Sequence, residues 1–151
     1  MLKRLTGTYE YVFPLDPAVD LEKWGDKAKE YFVSDFSRPP IKEGEKATIW
    51  TIQPLTGKQM RYVNERLPLD VEDDALNKVM NDVEFIDFVV GHGLCDIVNF
   101  DVAGFKLERE DSPYGGKRLT KETLDEIIPF QRVLAQVLVG EIISLSRCRY
   151  S

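Results

Sequence analysis

The stretch Ala47-Thr48-Ile49-Trp50-Thr51-Ile52-Gln53-Pro54-Leu55-Thr56-Gly57-Lys58-Gln59 decides how the chain is read. Its first seven residues are β-branched or aromatic at most positions, which suits a pleated strand. Pro54 ends that strand because it cannot donate to a ladder. Thr56 and Gln59 then have capping-box spacing: the threonine hydroxyl accepts from one orphan amide, and the Gln59 side chain reaches back to another. A helix to about Leu67, closed by Pro68, is expected to follow. The chain therefore mixes strand and helix within one short span.

Upstream, Thr8-Tyr9-Glu10-Tyr11-Val12-Phe13 reads as a second strand. Asp16-Pro17 has the form of a cap followed by proline at the first helical position, predicting a helix to about Tyr31. Ser37-Arg38-Pro39-Pro40 enforces an extended connection. Downstream, Asp70 is placed to cap a helix running to Val90, with Glu72, Asp73 and Asp74 at its positive end. Gly91-His92-Gly93 reads as a left-handed stop. Ile97–Phe100 and Phe105–Glu108 flank Asp101-Val102-Ala103-Gly104 and predict a hairpin. Thr120 caps a helix ending at Ile128, and a last helix runs from Phe130 to about Arg147. The expected architecture is α+β: one helix-dominated domain over residues 1–151, with a small antiparallel sheet in which 49–53 pairs with the region 98–108.

The 151 residues carry 20 Lys+Arg against 26 Asp+Glu, one His and two Cys. A net charge of −6 disfavours nucleic acid and anionic membrane as partners. No apolar run approaches the roughly 18 residues of a membrane span. The opening Met1–Gly7 lacks the apolar core expected of a signal peptide. Cys95 and Cys148 are far apart and match no metal or redox spacing, so a reducing cytoplasm is expected. A single His and two distant cysteines, Cys95 and Cys148, form no soft metal site, and Glu72-Asp73-Asp74 lacks the alternation of a calcium loop. Gly91-His92-Gly93, Gly115-Gly116 and Thr56-Gly57-Lys58 lack phosphate-loop spacing. No nucleophile, base and orienting group can be assembled, so no catalytic, cofactor-binding or metal-binding residue is assigned and the chain is not read as an enzyme.

Helical spacing supplies the candidate sites. At about 100° per residue from Leu76, the residues Val79, Met80, Val83, Ile86 and Val90 form one core stripe. Phe85, Phe88 and Val89 then fall on the opposite half. In the last helix, Phe130, Leu134, Val137, Leu138 and Leu145 share a face while Val139 and Ile143 project elsewhere. Phe85, Phe88, Val89, Val139 and Ile143 are thus the expected partner-binding residues, against the alternative that both helices are simply central in the core. Asp87 and Glu141 fall within the apolar stripes and require polar partners or an edge.

The run Gln53-Pro54-Leu55-Thr56-Gly57-Lys58-Gln59 resembles the P-L-S/T-G-R/K-E/Q pattern of small proteins in tailed-bacteriophage morphogenesis modules. The segment Phe88-Val89-Val90-Gly91-His92-Gly93-Leu94-Cys95-Asp96-Ile97-Val98-Asn99-Phe100 is similar to their apolar helix followed by G-L-x-x-x-x-N-L/F. A hairpin, a capped helix and a terminal helix like Val133–Ser146 complete the order. The likeness spans about residues 45–147 and leaves 1–44 uncovered. It resembles tail assembly chaperones and related small virion proteins. The resemblance implies a non-enzymatic protein that binds the tape-measure or other tail proteins in the host cytoplasm, without cofactors. The alternatives are a resident tail or head–tail connector subunit, found in the virion, and a small inhibitor of a host defence complex. A homo-oligomer is compatible with each.

Overall fold

The computed structural model describes residues 7–25, 39–100, 104–112, 117–130 and 132–147. Two strands from the N-terminal half meet a third from the middle of the chain. β1 (Tyr9–Val12) pairs antiparallel with β2 (Ile49–Ile52), and β2 pairs antiparallel with β3 (Leu94–Val98), giving the order β1-β2-β3. Ile49 lies opposite Val98 and Ile52 opposite Leu94, and the register skips Cys95. That bulge turns the Cys95 position out of the ladder. β4 (Arg109–Asp111) and β5 (Lys117–Leu119) form a separate two-stranded antiparallel sheet.

Among the described residues there are six helices: α1 (Leu21–Trp24), α2 (Gly57–Arg66), α3 (Asp73–Met80), α4 (Val83–Gly93), α5 (Lys121–Phe130) and α6 (Arg132–Arg147). About half of the described residues are helical, and the α+β expectation holds. The capping box forms as the sequence requires. Gln59 N donates to Thr56 Oγ1 at 3.2 Å, and Thr56 N donates to Gln59 Oε1 at 2.8 Å. Thr120 likewise caps α5, its hydroxyl accepting from Thr123 N at 3.2 Å. α5 and α6 meet at a bend of 116° after Pro129.

Several expected boundaries move. Asp16 does not start a helix. Its carboxylate accepts from Ala18 N at 2.9 Å and from Thr48 N at 3.0 Å, tying the first loop to the start of β2. Asp20 caps the short α1 instead, and the stretch expected to carry that helix to Tyr31 lies outside the described residues. The helix expected to run unbroken to Val90 divides at Asn81-Asp82, where the Asp82 carboxylate accepts from Glu84 N at 3.0 Å and caps α4. Asp70 is not the cap of α3, which begins after Glu72. Gly91-His92-Gly93 is not a left-handed stop: α4 continues through Gly93 and passes directly into β3. The hairpin is also displaced, since 97–98 belongs to β3 and the hairpin strands are 109–111 and 117–119.

The break at Asn81-Asp82 has a direct consequence for the core. Helical phase cannot be carried across a non-helical junction, so a stripe extrapolated from Leu76 is rotated relative to the true one. Within α4 the buried residues are Phe85, Ile86, Val89, Val90 and Gly93, an arc about 140° wide. Val83, expected in the core, is 58% exposed. In α6 the buried arc is Ala135, Leu138, Val139, Ile142, Ile143, Leu145 and Ser146. α4 packs on α6, and Gly93 marks their closest approach: a Cβ there would lie 2.6 Å from two carbons of Ile142. Trp50, Ile52 and Ile97 join these helices from the sheet in one continuous core.

Candidate functional site

Among the described residues an open cleft of about 1380 Å³ runs along α4, walled by β5 and α5, with the N-terminal end of α2 also lining it. Val83, Asp87 and Gly91 line it at four-residue spacing, so a single ridge of α4 forms its wall. Its floor is apolar, built from Ile86, Leu94, Leu119, Leu124 and Ile128, each buried beneath the surface. Its rim carries Lys117, Arg118, Lys121 and Arg132 among Asp87, Glu110 and Asp125.

The geometry beside α2 follows from the capping box. Gln59 Oε1 is occupied by Thr56 N–H, so the other half of the amide, Nε2, faces His92 Nδ1 at 3.1 Å. An amide nitrogen donates, so Nδ1 accepts and the ring proton of neutral His92 sits on Nε2. Gln53 Nε2 donates to His92 O at 3.0 Å, and Gln53 N donates to Gly93 O at 2.8 Å. Two glutamines thereby hold the last turn of α4. Phe88 lies edge-on to His92 at 4.7 Å and stacks on Tyr62 at 3.9 Å, and the Arg66 guanidinium covers the Tyr62 ring at 3.5 Å.

Burial pushes the His92 pKa down, and Arg118 lowers it further. Farther along the ridge, burial and the neighbouring Asp125 carboxylate raise the Asp87 pKa, with Lys121 opposing them. The Cys95 thiol is pushed up to about 11 by burial, helped by the adjacent Asp96. It is therefore protonated at neutral pH, the reverse of what an activated nucleophile requires. The one His and this Cys both line the cleft, but Nδ1 of His92 is turned to Gln59. Among the described residues no three His, Cys, Asp or Glu side chains are grouped to hold a metal. No single helix there is long and apolar enough to cross a membrane.

The expected partner-binding residues lie elsewhere. Phe85, Val89 and Val139 are 0% exposed and Ile143 is 5% exposed, so the expectation that they project outward is corrected: they are core between α4 and α6. Phe88 is half-buried in the Tyr62–His92 stack. Of the cleft residues, Gly91 enters the sequence reading only as part of an expected helix stop, and Lys117, Arg118, Lys121 and Arg132 are given no role by it. A signal for the cations was the adjacent pair Lys117-Arg118 preceding a capped helix. No protein-family model, curated protein or solved structure matches the chain.

Proposed function

We propose that the chain is a non-enzymatic assembly protein of a tailed bacteriophage, binding other tail proteins as a tail assembly chaperone in the host cytoplasm. The observation that carries the binding role is the cleft, whose apolar floor and charged rim have the make-up of a protein-recognition surface. The raised pKa of Cys95 and the Gln59 bond to His92 Nδ1 support a binding role over a Cys–His nucleophile. The phage assignment rests on the order of sequence features over residues 45–147. Purification of a tagged chain from infected cells tests it: the tape-measure or another tail protein should co-purify, while mass spectrometry of finished virions should lack the chain. Its presence at stoichiometric levels in virions would make it a resident subunit instead. Recovery of a host defence complex without tail proteins would refute the assembly role.

A further inference from the structure

We infer that the cleft receives an amphipathic helical segment of a partner protein, seated along the Val83–Asp87–Gly91 ridge with a carboxylate at the His92–Arg118 end. This rests on the protein-binding role proposed above and adds the site and the chemistry of the occupant.

The volume of about 1380 Å³ exceeds the roughly 300–1000 Å³ typical of small-molecule pockets. α4, with 11 residues, presents a wall about 16 Å long, which matches about three turns of a second helix. Helices approach most closely where a side chain is smallest, and Gly91 supplies such a point on the ridge. A Cβ built on Gly91 meets nothing within 4 Å, so the space beside it is open to a partner. Gly91 is exposed with no positive φ, as is Gly140, and what distinguishes Gly91 is that it lines the cleft.

Charge favours an acidic partner. Among the described residues four cations line the cleft against three carboxylates, an excess of cations in a chain that carries a net charge of −6. Within the cleft the carboxylates Asp87 and Asp125 lie together, balanced by Lys121. Arg118 stands by His92, with Lys117 next to it on β5. Arg118 also pairs with Glu110 at 3.2 Å, and Lys117 pairs with Asp111. Those pairs are solvent-exposed, so their cations remain open to a second carboxylate. The apolar floor fits Leu, Ile or Phe at helical spacing on the incoming segment.

The test is selection of a random 14-residue peptide display library on the full chain, followed by anisotropy measurements with the synthesised winners. Apolar residues at i, i+3 or i+4, and i+7, with Asp or Glu toward one end, are expected. Gly91→Leu, which fills the ridge, should weaken those peptides by about tenfold or more, the effect of losing about 1.4 kcal/mol. Gly140→Leu is the control, because Gly140 is also helical, exposed and free of neighbours within 4 Å. It should bind as the parent does. Arg118→Gln should weaken carboxylate-bearing peptides more than their amide analogues. Enrichment of alternating or basic sequences, or equal affinity for Gly91→Leu, would overturn the proposal. Should tail proteins still co-purify with Gly91→Leu, the cleft is the wrong site and the assembly role stands. Should Gly91→Leu block the peptides while no tail protein ever co-purifies, the site stands and the assembly role fails.

Discussion

Two glycines of α4, two residues apart, should respond to alanine with opposite sign. Helix propensity alone predicts that either Gly→Ala change stabilises, by about 0.8–1.0 kcal/mol. Gly91 has open space around its missing Cβ, so that gain should appear in full. At Gly93 the new Cβ would lie 2.6 Å from Cδ1 and 2.6 Å from Cγ2 of Ile142, and 3.0 Å from Cγ1. Ordinary carbon contacts are about 3.5–4.0 Å, so two methyl groups overlap the methyl by about 1 Å. Ile142 is 0% exposed and lies at the α4–α6 contact, so it has nowhere to move without displacing a helix. Overpacking of this kind costs about 1–3 kcal/mol, and the doubled overlap places it at the upper end. Subtracting the propensity gain leaves Gly93→Ala destabilised by about 1–2 kcal/mol, or about 2–8 °C in Tm for a chain of this length. Urea unfolding of both variants measures this, and a cycle with Ile142→Ala tests its cause. Ile142→Ala alone should cost about 2–5 kcal/mol through its cavity. It also removes both overlapping methyls, so the double mutant should be less destabilised than the sum of the singles. Gly93→Ala as stable as Gly91→Ala, or a coupling within about 0.5 kcal/mol of zero, would refute the packing argument.

Phe85→Ala should cost about 3–5 kcal/mol of folding stability, as expected for an aromatic buried at 0% exposure, and Phe88→Ala clearly less. Equal, small effects in a denaturant titration would return Phe85 to the surface. Ser146→Ala should cost about 1–3 kcal/mol, because the buried hydroxyl accepts from Leu55 N at 2.9 Å and donates to Ile142 O at 2.6 Å. A neutral Tm would show that neither bond matters. His92 makes stability depend on pH in a set direction. Its folded pKa is below the unfolded 6.5, so the unfolded chain binds the proton more readily and stability rises with pH in that range. Stability should therefore be complete above about pH 6.5 and decline as pH falls through the lower folded value, since a protonated Nδ1 would face the Gln59 amide donor. His92→Gln should flatten that part of the profile, and an unchanged slope would place its origin in other groups.

Local signals in the sequence were followed where the chemistry was local. Thr56 and Gln59 satisfy each other three residues apart, and nothing distant was needed to know it. The Ile49–Ile52 strand was legible for the same reason, but its antiparallel partner is Leu94–Val98, which shares only Val98 with the expected region 98–108. The register could not be read because it depends on where α4 ends. The helix ends where Leu94 turns extended, beside the close approach of Gly93 to Ile142, 49 residues away, and not at a left-handed glycine. Asp16 was misread for a related reason. An aspartate before proline resembles a cap, but its carboxylate is claimed by Thr48, 32 residues later.

The candidate site is harder to read because apolar character does not by itself mark a binding face. In α4 and α6 apolar residues occupy so much of the circumference that they do not identify which side meets the core. Small residues do. Gly93, Ala135 and Ser146 are all buried, and they lie within the true core arcs because close approach of two helices demands low volume there. Assigning the core of α6 from Ala135 and Ser146 brings Val139 and Ile143 inside by spacing alone, as observed. Outward, smallness alone does not discriminate, because Gly91 and Gly140 are both exposed helical glycines with nothing within 4 Å of a built Cβ. What separates them is position: Gly91 lines the cleft and Gly140 does not. A glycine demanded by packing and a glycine left open thus stand two residues apart on one helix, and the open one bears on binding because of the cleft it borders.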